Sequence, residues 1–211
     1  MNGAVILGDL IGSRQHTAPQ LDRAMQALAE TADALGSLTG QSHFTRYRGD
    51  GWQLATGRPE MALRLAVALS ARLIADGGPA TRVAIGIGEI ESLAGGELGA
   101  ASGSAFLRSG QMLDQMSPRR RLVLAGAPAG AAPWIDAQLH LIEYIAERWS
   151  AAQAQALVLA LSPGWEVQAD LAAKLGVTRQ AMQVRLKGAG YSAITSALTA
   201  FEGFDWTRPH G

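Results

Sequence analysis

Apolar residues recur along this chain with two alternating periods. Residues 4–7 form a short continuous apolar run that ends in Gly8 and Asp9, the pattern of a strand buried on both faces. From Pro19 the period lengthens: Leu21, Met25, Leu28, Ala32 and Leu35 fall on one helical face, with Pro19 in the first turn. Residues 44–55, FTRYRGDGWQLA, read as two strands around a Gly49-Asp50-Gly51 turn. Pro59 opens a second helix that runs to Ala75 and is closed by Gly77-Gly78-Pro79. Residues 81–90, TRVAIGIGEI, give a further strand. A Gly/Ala/Ser stretch leads into a helix over 104–116, and residues 120–126, RRLVLAG, close with a strand. The order βαββαβ followed by αβ predicts an α/β (α+β) fold with a ferredoxin-like sheet and covering helices.

Residues 126–134, GAPAGAAPW, read as a linker. Beyond it the period of two disappears: 136–161 is helical, and 166–202 continues in helices. This predicts a mixed domain over 1–128 and an all-α domain over 129–211. The Ala-rich patches are helix composition rather than low complexity, and no segment repeats.

Composition narrows the function classes. The chain has 211 residues, is 48% hydrophobic and carries a formal net charge of zero. That is a globular chain with no overall attraction to nucleic acid or membrane, so any such function has to be local. There are no cysteines, which excludes disulfides and thiolate metal sites. No apolar run approaches the ~18 residues of a membrane span, so no membrane partner is expected. The first apolar run is too short for a signal peptide and has no basic stretch before it, so the expected location is cytoplasmic. The histidines at 16, 43, 140 and 210 show no ligand spacing.

Two carboxylates stand out. In a ferredoxin-like sheet the first and third strands lie side by side and antiparallel, so the end of one abuts the start of the other. Asp9 ends the first strand, and Asp50 sits in the turn before the third. Adjacent carboxylates repel and favour a cation between them. Oxygen-only ligation suits Mg²⁺ or Mn²⁺, which keeps waters and accepts phosphate oxygens. Gly8, Gly12, Gly49 and Gly51 would let backbone approach a triphosphate closely, and Ser13 offers a hydroxyl for phosphate contact. Each acid has a plainer reading: Asp-Gly is a common hairpin turn, and Asp9 alone reads as a helix or turn cap.

The segments VILGDLIGS (5–13), RYRGDGWQLA (46–55) and RVAIGIGEI (82–90) resemble three successive motifs of the class III nucleotidyl cyclase and diguanylate cyclase superfamily. With its C-terminal helices, nearly the whole chain resembles the bacterial SatD family. The resemblance implies Asp9 and Asp50 as metal ligands, with the backbone carbonyl of Leu10 as a third. It places Arg46 at the position of a base-selecting lysine, which joins Gly12, Ser13 and Gly49 as candidate nucleotide-binding residues. The match is incomplete. With Gly103 aligned to the glycine before the cyclase helix, Leu107 and Gln111 stand where that family carries Asn and Arg, and Ala100 stands where an Asp reads the purine. Arg108, one residue from the Asn position, could take over a phosphate contact. A missing cationic group aimed at developing phosphate charge costs orders of magnitude in rate, so the pattern favours binding over turnover.

Smaller signals have bland readings. The Gly-x-Gly in GIGE (86–89) lacks the third glycine and following helix of a Rossmann turn. Glu89 reads as a solvated strand end, with a place facing the metal site as the alternative, and residues 119–121, three arginines, as a solvated strand start with phosphate contact as the alternative.

VQADLAAKLGVTRQAMQVRLKGAG (167–190) has the helix-turn-helix pattern. Ala172 and Gly176 are the small residue and the turn glycine. Leu171, Leu175, Val177, Met182 and Leu186 are apolar, and Thr178 caps the second helix. Lys174, Arg179, Arg185 and Lys187 form a local basic face with no acid between 174 and 187. Thr178, Arg179, Gln180 and Gln183 carry groups able to read bases, and Lys174 and Lys187 suit phosphates. The competing reading is a domain that packs on the first or dimerises. Together these features predict a nucleotide- and Mg-binding domain, holding a nucleoside triphosphate or cyclic nucleotide, joined to a helix-turn-helix for double-stranded DNA in a homodimer. The alternatives are an active metal-dependent nucleotidyl cyclase or transferase, and a protein-interaction module.

Overall fold

A computed structural model describes residues 1–40, 42–47, 49–91, 102–164 and 168–206. Five strands form one sheet in the order β2-β3-β1-β4-β5. They are β1 (Asn2–Leu10), β2 (Ser42–Tyr47), β3 (Gly51–Thr56), β4 (Thr81–Glu89) and β5 (Leu122–Ala125). β1 is antiparallel to both neighbours, β3 and β4, and β5 runs parallel to β4. This is the ferredoxin-like order with one strand added at the β4 edge.

The central place of β1 explains its composition. Ala4 and Ile6 join the cluster under α1 (Ala18–Ala34) and α3 (Ala62–Ala75), while Val5 packs with Ala55, Ile90 and Ala105 on the opposite face. The strand's period of two is therefore hidden in an unbroken apolar run because both faces are covered. A short α2 (Gly36–Thr39), which the periodicity does not signal, precedes β2. Pro59 opens a 3-10 turn over Pro59–Met61, and α3 begins after it.

The glycines of GIGE have a packing role. α4 (Ser104–Asp114) crosses β4 at Gly86 and Gly88, two residues apart and so on one face. A Cβ on Gly86 would fall inside contact distance of the Ala105 carbonyl, and one on Gly88 inside that of the Ser104 hydroxyl. The absence of side chains there lets α4 lie directly on the strand.

The segment 136–161, read as helical, is two helices. α5 (Ala132–Ala146) begins inside the proposed linker, with Pro133 in its first turn, and α6 (Ala151–Leu161) follows. Ser150 breaks them apart: its hydroxyl accepts from the Gln153 N–H and the Gln153 side chain returns to the Ser150 N–H, a capping box that starts a new helix. α7 (Gln168–Lys174), α8 (Arg179–Gly188) and α9 (Tyr191–Glu202) complete the chain.

The apolar core does not stop where the sheet does. Leu139, Ile142, Trp149, Leu157, Ile194, Leu198 and Phe201 belong to the same buried cluster as Ile6, Leu54 and Ile85. Polar ties reinforce the junction. Arg64 on α3 grips both carboxylate oxygens of Glu202 on α9 at 2.7 and 3.2 Å, and the Trp149 indole N–H donates to the Ala189 carbonyl at 2.8 Å. A smaller cluster of Ala156, Leu171, Ala172, Met182 and Leu186 holds α7 and α8 against α6. Among the described residues no helix is long and apolar enough to cross a membrane.

Candidate functional site

The register of β1 and β3 places Asp9 opposite Gly51, so Asp50 lies one residue beyond the end of the pairing. The Leu10 N–H donates to the Asp50 carbonyl at 3.1 Å, which pins the turn to the strand end. Asp9 and Asp50, 41 positions apart, line one open groove of about 490 Å³ with Leu10, Ile11, Gly12, Ser13, Arg14, Gln15, Arg82, Pro118 and Arg120. The topological argument that brings the two acids together therefore holds in the structure.

Each carboxylate already has a protein partner. Arg82, the second residue of β4, lies directly opposite Asp9 and donates to both its oxygens, Nε at 2.9 Å and Nη2 more closely still. This raises the Arg82 pKa above its usual value: the hydrogen bond to Asp9 contributes most, burial opposes it, and the charges of Asp9, Asp114 and Asp50 add to it. Asp50 accepts a hydrogen bond from the Ser13 hydroxyl. Behind the strand end, the buried Trp52 indole N–H donates to the Thr81 hydroxyl at 3.0 Å, and that hydroxyl donates to the Asp9 carbonyl at 2.8 Å. The backbone of Asp9 is thus held from the core while its carboxylate faces the groove.

The four glycines near the acids divide into two kinds. Gly8 is required by Trp52, whose ring would lie 2.5 Å from an added Cβ, and Gly51 lies against the Tyr47 carbonyl. Gly12 and Gly49 have φ of +68° and +73°, which L side chains rarely adopt. Gly12 turns the chain into the 3-10 turn Ser13–Gln15, and with it presents Ser13 and Arg14 to the groove.

Other residues named from the sequence lie elsewhere. Arg46 is paired with Asp22 at 2.7 Å and donates to the Gly49 carbonyl at 2.8 Å; neither Arg46 nor Gly49 lines the groove. Arg108 lies on α4 and donates to the Ile87 carbonyl at 2.5 Å. Glu89 is exposed and pairs with Asn2 at the far end of β4. Leu107 and Gln111 are exposed on α4, and neither lines the groove. Ala100 and His210 lie outside the described residues.

Arg82 lines the groove without being singled out by the sequence pattern, although the start of β4 follows from the same topology as Asp50: a strand antiparallel to β1 begins where β1 ends. Arg120, read within the run 119–121 with phosphate contact as the alternative, lines it too. Arg120 is not solvated as the run 119–121 suggests. Its guanidinium is held by Glu143 at 2.7 Å and Asp136 at 3.0 Å, both on α5. Burial opposes its charge most, yet these two acids together raise its pKa. Asp9 and Asp50 bring two carboxylates to the groove, oxygen donors of the kind that suit a hard cation completed by water and phosphate, and Leu10 lines the groove beside them. Among the described residues no three His, Cys, Asp or Glu side chains gather closely enough to hold a metal by themselves.

In the helical half, α7, the turn at Gly176 (φ +63°) and α8 make a helix-turn-helix. The Thr178 hydroxyl accepts from the Ala181 N–H at 3.1 Å, so it caps α8. Met182 and Leu186 are buried, which leaves Arg179, Gln180, Gln183, Val184 and Lys187 exposed on the outer face, with Lys174 exposed on α7. Val184, 65% exposed, is an apolar residue on the same outer face.

No protein-family model matches the chain, and no curated protein matches it. Among solved structures, a bacterial light-regulated adenylyl cyclase is similar with a TM-score of 0.36 at 9% identity, over 59% of this chain and 43% of that one. The chain therefore spans less than half the length of that cyclase.

Proposed function

We propose that the groove at the end of β1 binds the phosphate end of a nucleotide together with Mg²⁺ or Mn²⁺, and that the helix-turn-helix binds double-stranded DNA as a homodimer. The observation that carries the first part is the meeting of Asp9 and Asp50 in one open groove that also holds Arg14, Arg82, Arg120 and Ser13. Carboxylates beside arginines and a hydroxyl suit a metal–phosphate pair: the acids take the cation, and the arginines and hydroxyl take the anion. Asp9 and Asp50 would hold the metal, with Arg82 yielding one oxygen of Asp9. When bound, the metal would neutralise phosphate charge. Ser13 and Arg14, presented by the turn at Gly12, would orient the phosphates.

The reading is of a sensor rather than an enzyme. The α4 positions at which cyclases carry Asn and Arg are Leu107 and Gln111, and Arg108, which donates to the Ile87 carbonyl, does not line the groove. The groove therefore has no α4 cation in it to meet developing phosphate charge. A regulator of the SatD type, with a cyclase-like domain that reports nucleotide to a DNA-binding half, fits both halves of the chain. The exposed Arg179, Gln180 and Gln183 on α8 support the DNA part.

The test is calorimetric titration of ATP, GTP and their cyclic forms, with and without Mg²⁺. Metal-dependent binding of one of them supports the reading. If none binds in either condition, the groove does not serve nucleotides. Pyrophosphate release from ATP or GTP with Mn²⁺ at roughly 1 per second or faster would replace the sensor by an active cyclase or transferase.

A further inference from the structure

Arg120 belongs to two parts of the molecule at once. It lines the groove, and its guanidinium also anchors α5: Nε donates to Glu143 Oε2 at 2.7 Å, Nη1 to Asp136 Oδ1 at 3.0 Å and Nη2 to the Leu122 carbonyl at 2.9 Å.

The two acids hold it unequally. Glu143 has a side chain only 6% exposed and also accepts the backbone N–H groups of Arg121 and Leu122 at the start of β5. Its buried charge needs a cation beside it, because an unpaired buried carboxylate is costly. Asp136 is 61% exposed and is solvated whether or not Arg120 is present. Of the two contacts, the one to Asp136 is the easier to give up. Arg82 is in a different position, since both oxygens of Asp9 already occupy it.

We infer that Arg120 is an anion-binding arginine of the groove, and that a phosphate there competes with Asp136 for it. Arg120 pivots on Glu143, and its Nη1 end exchanges Asp136 for a phosphate oxygen. Occupancy of the groove thereby releases the first turns of α5, a helix of the helical half that packs on β5. The inference rests on the phosphate reading of the groove and adds to it the contact by which binding is reported.

Linkage makes the idea testable in reverse: if phosphate weakens the hold on Asp136, removing Asp136 strengthens the hold on phosphate by the same factor. The probe is inorganic tripolyphosphate with Mg²⁺, titrated into the full chain. Asp136→Asn, at an exposed site, is expected to bind it about threefold more tightly than wild type, the scale of an exposed ion pair. Arg120→Lys keeps a charge beside Glu143 but loses the fork, and is expected to weaken binding about tenfold, as loss of one charged hydrogen bond does. In the double variant the Asp136→Asn gain should vanish. Amide exchange over 132–140 should quicken when tripolyphosphate is added to wild type, and should already be fast in Asp136→Asn without it. Unchanged or weaker binding by Asp136→Asn overturns the inference, as does an Arg120→Lys variant that binds like wild type. In either case the groove reading stands if Asp9→Asn and Asp50→Asn still lose affinity. If wild type does not bind tripolyphosphate at all, the phosphate reading falls and this inference falls with it.

Discussion

Arg82 holds Asp9 from the facing position of the neighbouring strand: the two are register partners in the β1–β4 pair, and the guanidinium fork spans both carboxylate oxygens. The side chains are 33% and 27% exposed, so the pair is neither a loose surface contact nor a buried one. Arg82→Ala is expected to lower stability by about 1 kcal/mol, measured by urea unfolding. The folded-state pKa of Arg82 is raised. Its contribution is therefore complete below the unfolded value and is lost only as pH rises through the folded one. An alkaline series to about pH 10, well below an arginine's titration, should leave the difference between wild type and variant unchanged. A difference that disappears within that range would mean another group supplies it.

The two carboxylates should act together on metal. Asp9→Asn and Asp50→Asn are each expected to weaken Mg²⁺-dependent nucleotide binding tenfold or more, about 1.4 kcal/mol per decade. Two variants with wild-type affinity would place the nucleotide elsewhere on the molecule.

The seat of α4 depends on glycine. Gly86→Ala brings a methyl group against the Ala105 carbonyl and the Ser109 N–H, both backbone atoms that cannot swing away. The expected cost is about 1–3 kcal/mol, as for an overpacked core. Gly110→Ala, on the same helix with open space around it, is the control and should not destabilise. Equal melting temperatures for Gly86→Ala and wild type would contradict the close helix-on-strand contact.

Unfolding should report one core. Sheet and helices share a buried cluster that runs from Ile6 to Phe201. Far-ultraviolet circular dichroism and tryptophan fluorescence are therefore expected to give coincident urea transitions. Two separated transitions would show that the halves on either side of residue 128 are held together only weakly.

On DNA, the exposed residues of α8 should fall into two classes. Selection from a random oligonucleotide pool comes first, followed by salt titration on the enriched site. Lys187→Ala is expected to weaken binding to all sequences alike and to flatten the salt slope by about one unit. Arg179→Ala is expected to cost about 1–3 kcal/mol on the selected site and to relax choice at one base. If no sequence is enriched and none binds at low salt, the helix-turn-helix serves packing instead.

Much of this protein is legible in its sequence, because the physics involved is local or topological. The alternation of short apolar runs with 3.6-period helices sets the order βαββαβ, and that order allows few sheets. The meeting of Asp9 and Asp50 follows from it, since antiparallel strands place the end of one beside the start of the next. Thr178 is a cap and Met182 and Leu186 are core for equally local reasons. What the tertiary structure alone decided is what each polar group spends itself on. Arg46 and Arg108 have the right residue type for phosphate, yet neither lines the groove: Arg46 lies against Asp22 and Arg108 against the Ile87 carbonyl. Arg120 looks like one of three surface arginines, yet a buried glutamate 23 residues later draws it inward. Gly8 could have been open to a ligand, and Trp52 fills the space. A side chain's partners are set by distances across elements, and those depend on how helices seat on the sheet. That seating is a packing outcome of the whole chain, and no local pattern encodes it.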